Sequence, residues 1–212
     1  MRSRQATQYS VFLASAVVLA SALADEQRID VGAAERVQER AKAVYSDESR
    51  RLSVGSRILF RDLLETGSSA RLEVILDDDS VITLGERAEL IVDEFIYDPA
   101  QREGNLVLTV AKGAFLFVGG KIESIKESKV QITTPVGILG IRGTTVWGGP
   151  IDTGYGILVL DGEVTVTTPA GDVTIPAGRG TMIYGPERKP LTPYPWDEAK
   201  TARAVATISF AD

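Results

Sequence analysis

From Leu52 onward, apolar residues recur in short bursts that turn-forming residues interrupt. Leu72, Val74 and Leu76 alternate with Arg71, Glu73 and Ile75. Asp77-Asp78-Asp79-Ser80 then reads as a solvated turn, and Val81 to Leu84 as the returning strand. Further strand-like runs are Leu52 to Phe60, Leu90 to Tyr97, Leu106 to Val110, Ala114 to Val118, Val130 to Thr133, Ile138 to Ile141 and Thr144 to Trp147. Gly156 to Leu160, Val164 to Thr168, Val173 to Ile175 and Thr181 to Tyr184 complete the series. Lys112-Gly113 and Ala170-Gly171-Asp172 read as turns. Asp161-Gly162 reads as a two-residue hairpin, because type I′ turns need positive φ at both positions. Strands spaced about 8–12 residues apart imply an all-β class. The expected fold is a single domain of antiparallel strands, a sandwich or a roll. A short β-helix is the alternative, because strand order is not written in strand spacing.

Two segments break the pattern. Residues 31–45, VGAAERVQERAKAVY, place Ala33, Val37, Ala41 and Val44 at helical spacing, so periodicity alone predicts a helix. Residues 186–195 hold four prolines and cannot join a central strand. They read as an extended segment leaving the domain, followed by a short helix from Trp196-Asp197-Glu198 with acids in its first turn.

The first 24 residues read as a secretory leader. Arg2 and Arg4 precede an apolar run from Val11 to Ala20, and Ala22-Leu23-Ala24 supplies the small residues of a cleavage site. The run is shorter than the roughly 20 residues that span a bilayer. The expected organisation is therefore a signal peptide over 1–24, a β domain over 25–185, and a proline-rich segment with a short helix or tail over 186–212. The mature product is expected to be periplasmic or secreted, with no stable membrane insertion after cleavage.

Composition narrows the chemistry. The 212-residue chain has formal charge −6, and the leader carries two Arg and no acid, so its removal leaves a more acidic protein. That balance is a poor fit for nucleic acid. There is no Cys and no His, which excludes disulfides, thiolate metal sites and Ser-His-Asp or Cys-His catalysis. No catalytic residue, cofactor or metal site is expected.

Several stretches together resemble the FecR domain: Leu52-x-x-Gly55, Leu64-x-Thr66-Gly67, Leu72-x-Val74-x-Leu76 with its acidic turn, and Val81-x-x-Leu84-Gly85. Val92-Asp93-Glu94-Phe95-Ile96-Tyr97-Asp98-Pro99, Leu106-x-Leu108 and Lys112-Gly113-x-Phe115-x-Phe117-Val118-x-Gly120 follow in the family's order. Thr134-Pro135-Val136-Gly137 and Ile141-Arg142-Gly143-Thr144 close it. The resemblance covers roughly residues 31–185. It implies an all-β extracytoplasmic domain, and it implies a strand rather than a helix over 31–44, the reading preferred here. Iron-citrate regulators of this family also carry a cytoplasmic segment that restrains a sigma factor and a membrane helix. This sequence matches neither, so it resembles the stand-alone secreted members.

The motif residues Thr134, Pro135, Gly140, Arg142, Gly143 and Thr144 admit two readings. In one, Arg142 contacts a carboxylate or other anion through its planar fork. In the other, which is favoured, a buried or half-buried Arg142 pairs with an internal acid and ties two β layers together, while Gly143 permits a bend or bulge. Asp77, Asp78 and Asp79 lack the spacing of a calcium loop. Asp93 and Glu94 read as edge-strand acids, although they are half of what a carboxylate-only glycosidase would need. Trp147 reads as core and Trp196 as a contact residue, with a face of Trp147, Trp196, Tyr155, Tyr184 and Tyr194 for sugar or peptide as the alternative. The expected function is a non-enzymatic extracytoplasmic binding or sensing module of the cell envelope that recognises a protein or envelope polymer. A self-assembling surface protein and a carboxylate-only glycan enzyme are the alternatives.

Overall fold

Alternation becomes strand where one face of it can be buried. The computed structural model describes residues 28–211, so the leader read over 1–24 lies outside the described residues. The chain divides into units of residues 1–30 and 31–212, and the second carries the fold. Its strands are β1 (Asp30–Gln38), β2 (Ala41–Tyr45), β3 (Glu48–Arg51), β4 (Arg57–Leu59), β5 (Leu63–Thr66), β6 (Arg71–Leu76), β7 (Val81–Leu84) and β8 (Glu89–Asp98). There follow β9 (Glu103–Lys112), β10 (Phe115–Val118), a 3-10 turn (Lys121–Ser124), β11 (Lys129–Thr134), β12 (Gly137–Ile151), β13 (Gly154–Thr168), β14 (Gly171–Pro176), β15 (Arg179–Ile183) and one helix, α1 (Glu198–Ala206). The all-β class holds.

These strands form one continuous sheet of 15 that folds over on itself. One limb runs β3-β2-β5-β8-β9-β11 to the first half of β12. The other runs β4-β1-β6-β7-β10 to its second half. β13 follows β12 along both halves, pairing with β14 at one end and β15 at the other. Leu64, Leu90, Leu108 and Ile132 of the first limb meet Val74, Ile82, Phe115 and Val146 of the second in a single apolar core. The sheet is mixed rather than wholly antiparallel, because β9 and β11 run parallel. The chain leaves β9, crosses to β10 on the other limb and returns, so it enters β11 running the same way as β9.

The two long strands correct two sequence readings. Ile138 to Ile141 and Thr144 to Trp147 are halves of one strand, and Asp161-Gly162 lies inside β13 rather than at a hairpin. Both strands bend at the same place. Gly143 and Gly162 take φ of +62° and +76°, and the ladder slips there between Arg142 and Val146. A Cβ on Gly162 would lie 2.1 Å from the Gly143 carbonyl oxygen, so the two bends nest only because that position is glycine. The same left-handed twist that makes a hairpin here makes a fold line. Lys112-Gly113 behaves likewise: β9 and β10 do not pair but lie on opposite limbs.

Residues 31–45 form β1 and β2, not a helix. A bulge between Ala34 and Arg36, then a corner at Glu39 (φ +60°), break the two-residue alternation into a spacing that mimics a helical one. The apolar side chains actually buried are those of Val31, Ala34, Ala41 and Ala43. The proline-rich segment does not leave the domain. It returns across the outer face of the second limb, where Trp196, Ala204 and Ile208 cover Ala114, Trp147, Leu158 and Met182 in a second apolar cluster. Asp197 caps α1 by accepting from the Lys200 N–H at 2.7 Å.

Candidate functional site

The Thr-Pro and Arg-Gly-Thr motifs lie at opposite ends of the first half of β12, and the structure does not gather them into one site. Thr134 is buried and locks the β11–β12 turn. Its hydroxyl donates to the Gly137 carbonyl at 2.7 Å and accepts from the Val136 N–H at 3.4 Å, with Pro135 exposed at the tip. Thr168 repeats this in Thr-Thr-Pro-Ala-Gly, donating to the Gly171 carbonyl at 2.9 Å and accepting from Ala170 at 3.2 Å. Thr-Thr-Pro-x-Gly recurs in the sequence at 133–137 and 167–171, and it marks both turns.

At the other end, Thr144 is the buried hub of the fold line. Its hydroxyl accepts the Arg142 N–H at 3.1 Å and donates to the Glu163 carbonyl at 3.2 Å. Its own N–H donates to Glu123 Oε2 at 3.1 Å. Glu123, on the 3-10 turn, therefore caps the bend. Burial holds its carboxyl above the ordinary carboxylate range; N–H donation from Thr144 and Gly143 pulls the other way, and the Asp78 charge adds to the rise. Asp78 is itself fully buried, which corrects the solvated-turn reading for the middle of the Asp run. It accepts from the Ser80 hydroxyl at 2.8 Å and the Ile122 N–H at 3.3 Å, stitching the β6–β7 turn to the 3-10 turn. Nothing in the spacing of Asp78 or Glu123 marked them.

Arg142 is exposed and makes no ion pair among the described residues, so it is not the internal tie of the favoured reading. It stands opposite Glu163 across the ladder, between shallow clefts of about 430 and 310 Å³. Gly140, also exposed, lies on that outer surface with only the Thr165 carbonyl within 4 Å of where a Cβ would sit.

Trp147 and Trp196 meet edge to face, with ring centroids 5.9 Å apart, and both are buried. Trp147 Nε1 donates to the Thr207 hydroxyl at 3.0 Å. Cβ atoms on Gly156 and Gly180 would each lie 2.6 Å from Trp196, so the ring seats on bare backbone. The buried Lys200 ammonium sits 4.5 Å from its centroid and 3.1 Å from Asp152 Oδ2, and Arg203 reaches Asp152 Oδ1 at 2.6 Å. Those rings form no open face. Tyr155 is in the main core, where burial pushes its hydroxyl up; Tyr184 is exposed. Asp93 sits at a bulge in β8, and Glu94 accepts from Asn105 Nδ2 at 3.3 Å. Among the described residues no group of three or more acids is placed to hold a metal ion.

The strand edges differ in how they end. β3 is Glu-Ser-Arg-Arg, and β4 has three residues with its Arg57 carbonyl taken by Arg50 Nη1 at 2.7 Å. β15 is covered by the returning tail: Gly180 and Tyr194 exchange bonds of 3.0 Å, and the Leu191 N–H reaches the Met182 carbonyl at 3.1 Å. Beyond Val92 the pairing of β8 with β5 stops, and that free stretch carries the bulge, Asp93, Glu94 and Asp98. Charge, brevity, bulges and cover each discourage strand pairing. β14 has none of these over Asp172 to Ile175 save the one charge at Asp172, and Pro176, which also blunts an edge, closes its far end. Pro176 pairs with Glu163 yet has no N–H, so its nitrogen faces outward; by two-residue alternation the N–H groups of Thr174 and Asp172 face outward too. Val173, between them, is only partly buried at the rim of the core.

A folded-over all-β domain with a locked bend and one unclosed edge is thus defined. Residues 62–165 match the family model described as FecR protein, a stretch running from Asp62 before β5 into the second half of β13. No curated protein matches the chain. Two crystal structures of a candidate anti-sigma factor from Parabacteroides distasonis share the fold, each with TM-score 0.51 and 13% identity over 66% of this chain. The chain spans 62% of that protein's length.

Proposed function

We propose that this protein is a non-enzymatic sensing or regulatory module of the cell envelope, periplasmic or secreted, that docks a protein partner by strand addition along β14. The FecR family match and the anti-sigma assignment of a structural neighbour support the regulatory class. The leader-like first 24 residues support export. The open edge at Asp172–Pro176, on a sheet whose other margins are blunted, carries the docking mode. An added strand would take its affinity from backbone bonds to Asp172 and Thr174, and an apolar residue on its inner face would cover Val173.

Capture from envelope extract with three forms of the mature protein tests this. Thr174→Ala keeps the backbone N–H and should recover the same partner as wild type. Thr174→Pro removes an outward N–H, is tolerated at an edge, and should lose that partner without a change in fold. Equal recovery by the proline form, or hydrogen-exchange protection on binding that spares residues 172–176, overturns the proposal. Self-assembly through the same edge would appear instead as concentration-dependent sedimentation that the proline form abolishes.

A further inference from the structure

The solvent face of the first limb carries a different feature. Arg40, Lys42 and Arg51 line a cleft of about 530 Å³ across β2, β3 and β5, floored by Ala41, Thr66 and Gly67. Its one acid, Glu65, is held by Lys42 at 2.9 Å. The guanidinium groups of Arg40 and Arg51 make no ion pair or hydrogen bond among the described residues, although acids outnumber bases in the chain as a whole.

The arrangement is costly to the sheet. Lys42 and Arg51 are direct partners across the β2–β3 ladder. Like charges directly opposite one another destabilise a pair of strands. An acid in place of Arg51 would relieve the repulsion and blunt the edge equally well. A fold that keeps an unfavourable local choice at an exposed cleft points to use rather than to architecture. Two free planar forks beside an ammonium fit oxyanions, which each guanidinium can bind bidentately.

We propose that this cleft binds a multivalent oxyanion: the spaced carboxylates or phosphates of an acidic envelope polymer. One anionic group would bridge Lys42 and Arg51, ending their repulsion, and the next would engage Arg40. The cleft is on the face of β2, β3 and β5, away from β14 across the limb, so polymer and strand can bind together.

Titration of the full mature chain with oligogalacturonate, polyphosphate and neutral dextran tests this. At low salt at least one of the two polyanions should bind and dextran should not, with marked weakening at about 0.15 M salt. Which polyanion binds more tightly identifies the acidic group. The double variant Arg40→Ala with Arg51→Ala should bind at least tenfold more weakly, with an unfolding temperature equal to or above that of wild type. Arg102→Ala, an exposed cation on the β8–β9 turn, should bind as wild type does. No binding of either polyanion at low salt, equal binding by the double variant, or an equal loss in Arg102→Ala overturns the proposal. Each readout is independent of the β14 variants, so either inference can fail alone.

Discussion

Glu123 joins two parts of the chain at the level of single atoms. Its carboxylate accepts the Thr144 N–H at the bend, and the Asp78 carboxylate accepts the Ile122 N–H one residue before it. The sign of its contribution follows from burial. Its folded pKa is raised above the unfolded value of 4.5, so the folded state binds the proton more tightly. The stabilisation is complete below pH 4.5 and is lost as pH rises through the folded pKa. Gln keeps an oxygen for the Thr144 N–H and removes the charge. Relative to wild type, Glu123→Gln is expected to gain stability from pH 5 to pH 8 in urea denaturation. Relative to Glu123→Gln, Glu123→Ala leaves that N–H without its acceptor and should cost about 1–3 kcal/mol at both pH values. A Gln variant whose difference from wild type does not change with pH would refute this account. Asp152 has the opposite sign: bonds to Arg203 and Lys200 hold its carboxyl below its usual range, so its contribution is lost only as the solution is made acidic.

Among the elements, the returning tail and α1 form a strap whose anchor is Trp196. The ring lies against Trp147 and over the bare backbone of Gly156 and Gly180, with Lys200 above it. Trp196→Ala should therefore lower the unfolding free energy by about 3–5 kcal/mol, as measured by chemical denaturation. A loss under about 1 kcal/mol would mean that the strap adds little to the fold. The helix was legible from Asp197 and Glu198, but its destination was not. Four prolines exclude a strand without saying where the segment lies, and the apolar face that receives it comes from Trp147, Leu158 and Met182 on three different strands and from Ala114 just before β10. The edge at β14 was half legible: Gly171 and Pro176 bound it in the sequence, yet its being unclosed depends on where the tail and the other strands end.

At the scale of the molecule, strand existence was readable from alternation while connection was not. Asp161-Gly162 and Arg142-Gly143-Thr144 each carry the local signal of a turn, and each is one side of the same fold line. A glycine with positive φ fixes the local twist; whether the chain then doubles back or bends onward depends on a partner strand far away in sequence. The consequence is mechanical. Because β12 and β13 run through both limbs, neither limb can lose its pairing without loosening the other. Unfolding should be a single cooperative transition. The two tryptophans make this testable, since both lie on the second limb and its strap, 5.9 Å apart, whereas far-ultraviolet circular dichroism reports strands of both limbs. In urea, the fluorescence and dichroism curves should coincide in midpoint and slope. If fluorescence moved first, the second limb and its strap would be a separate unit, and the shared strands would be a hinge rather than a brace.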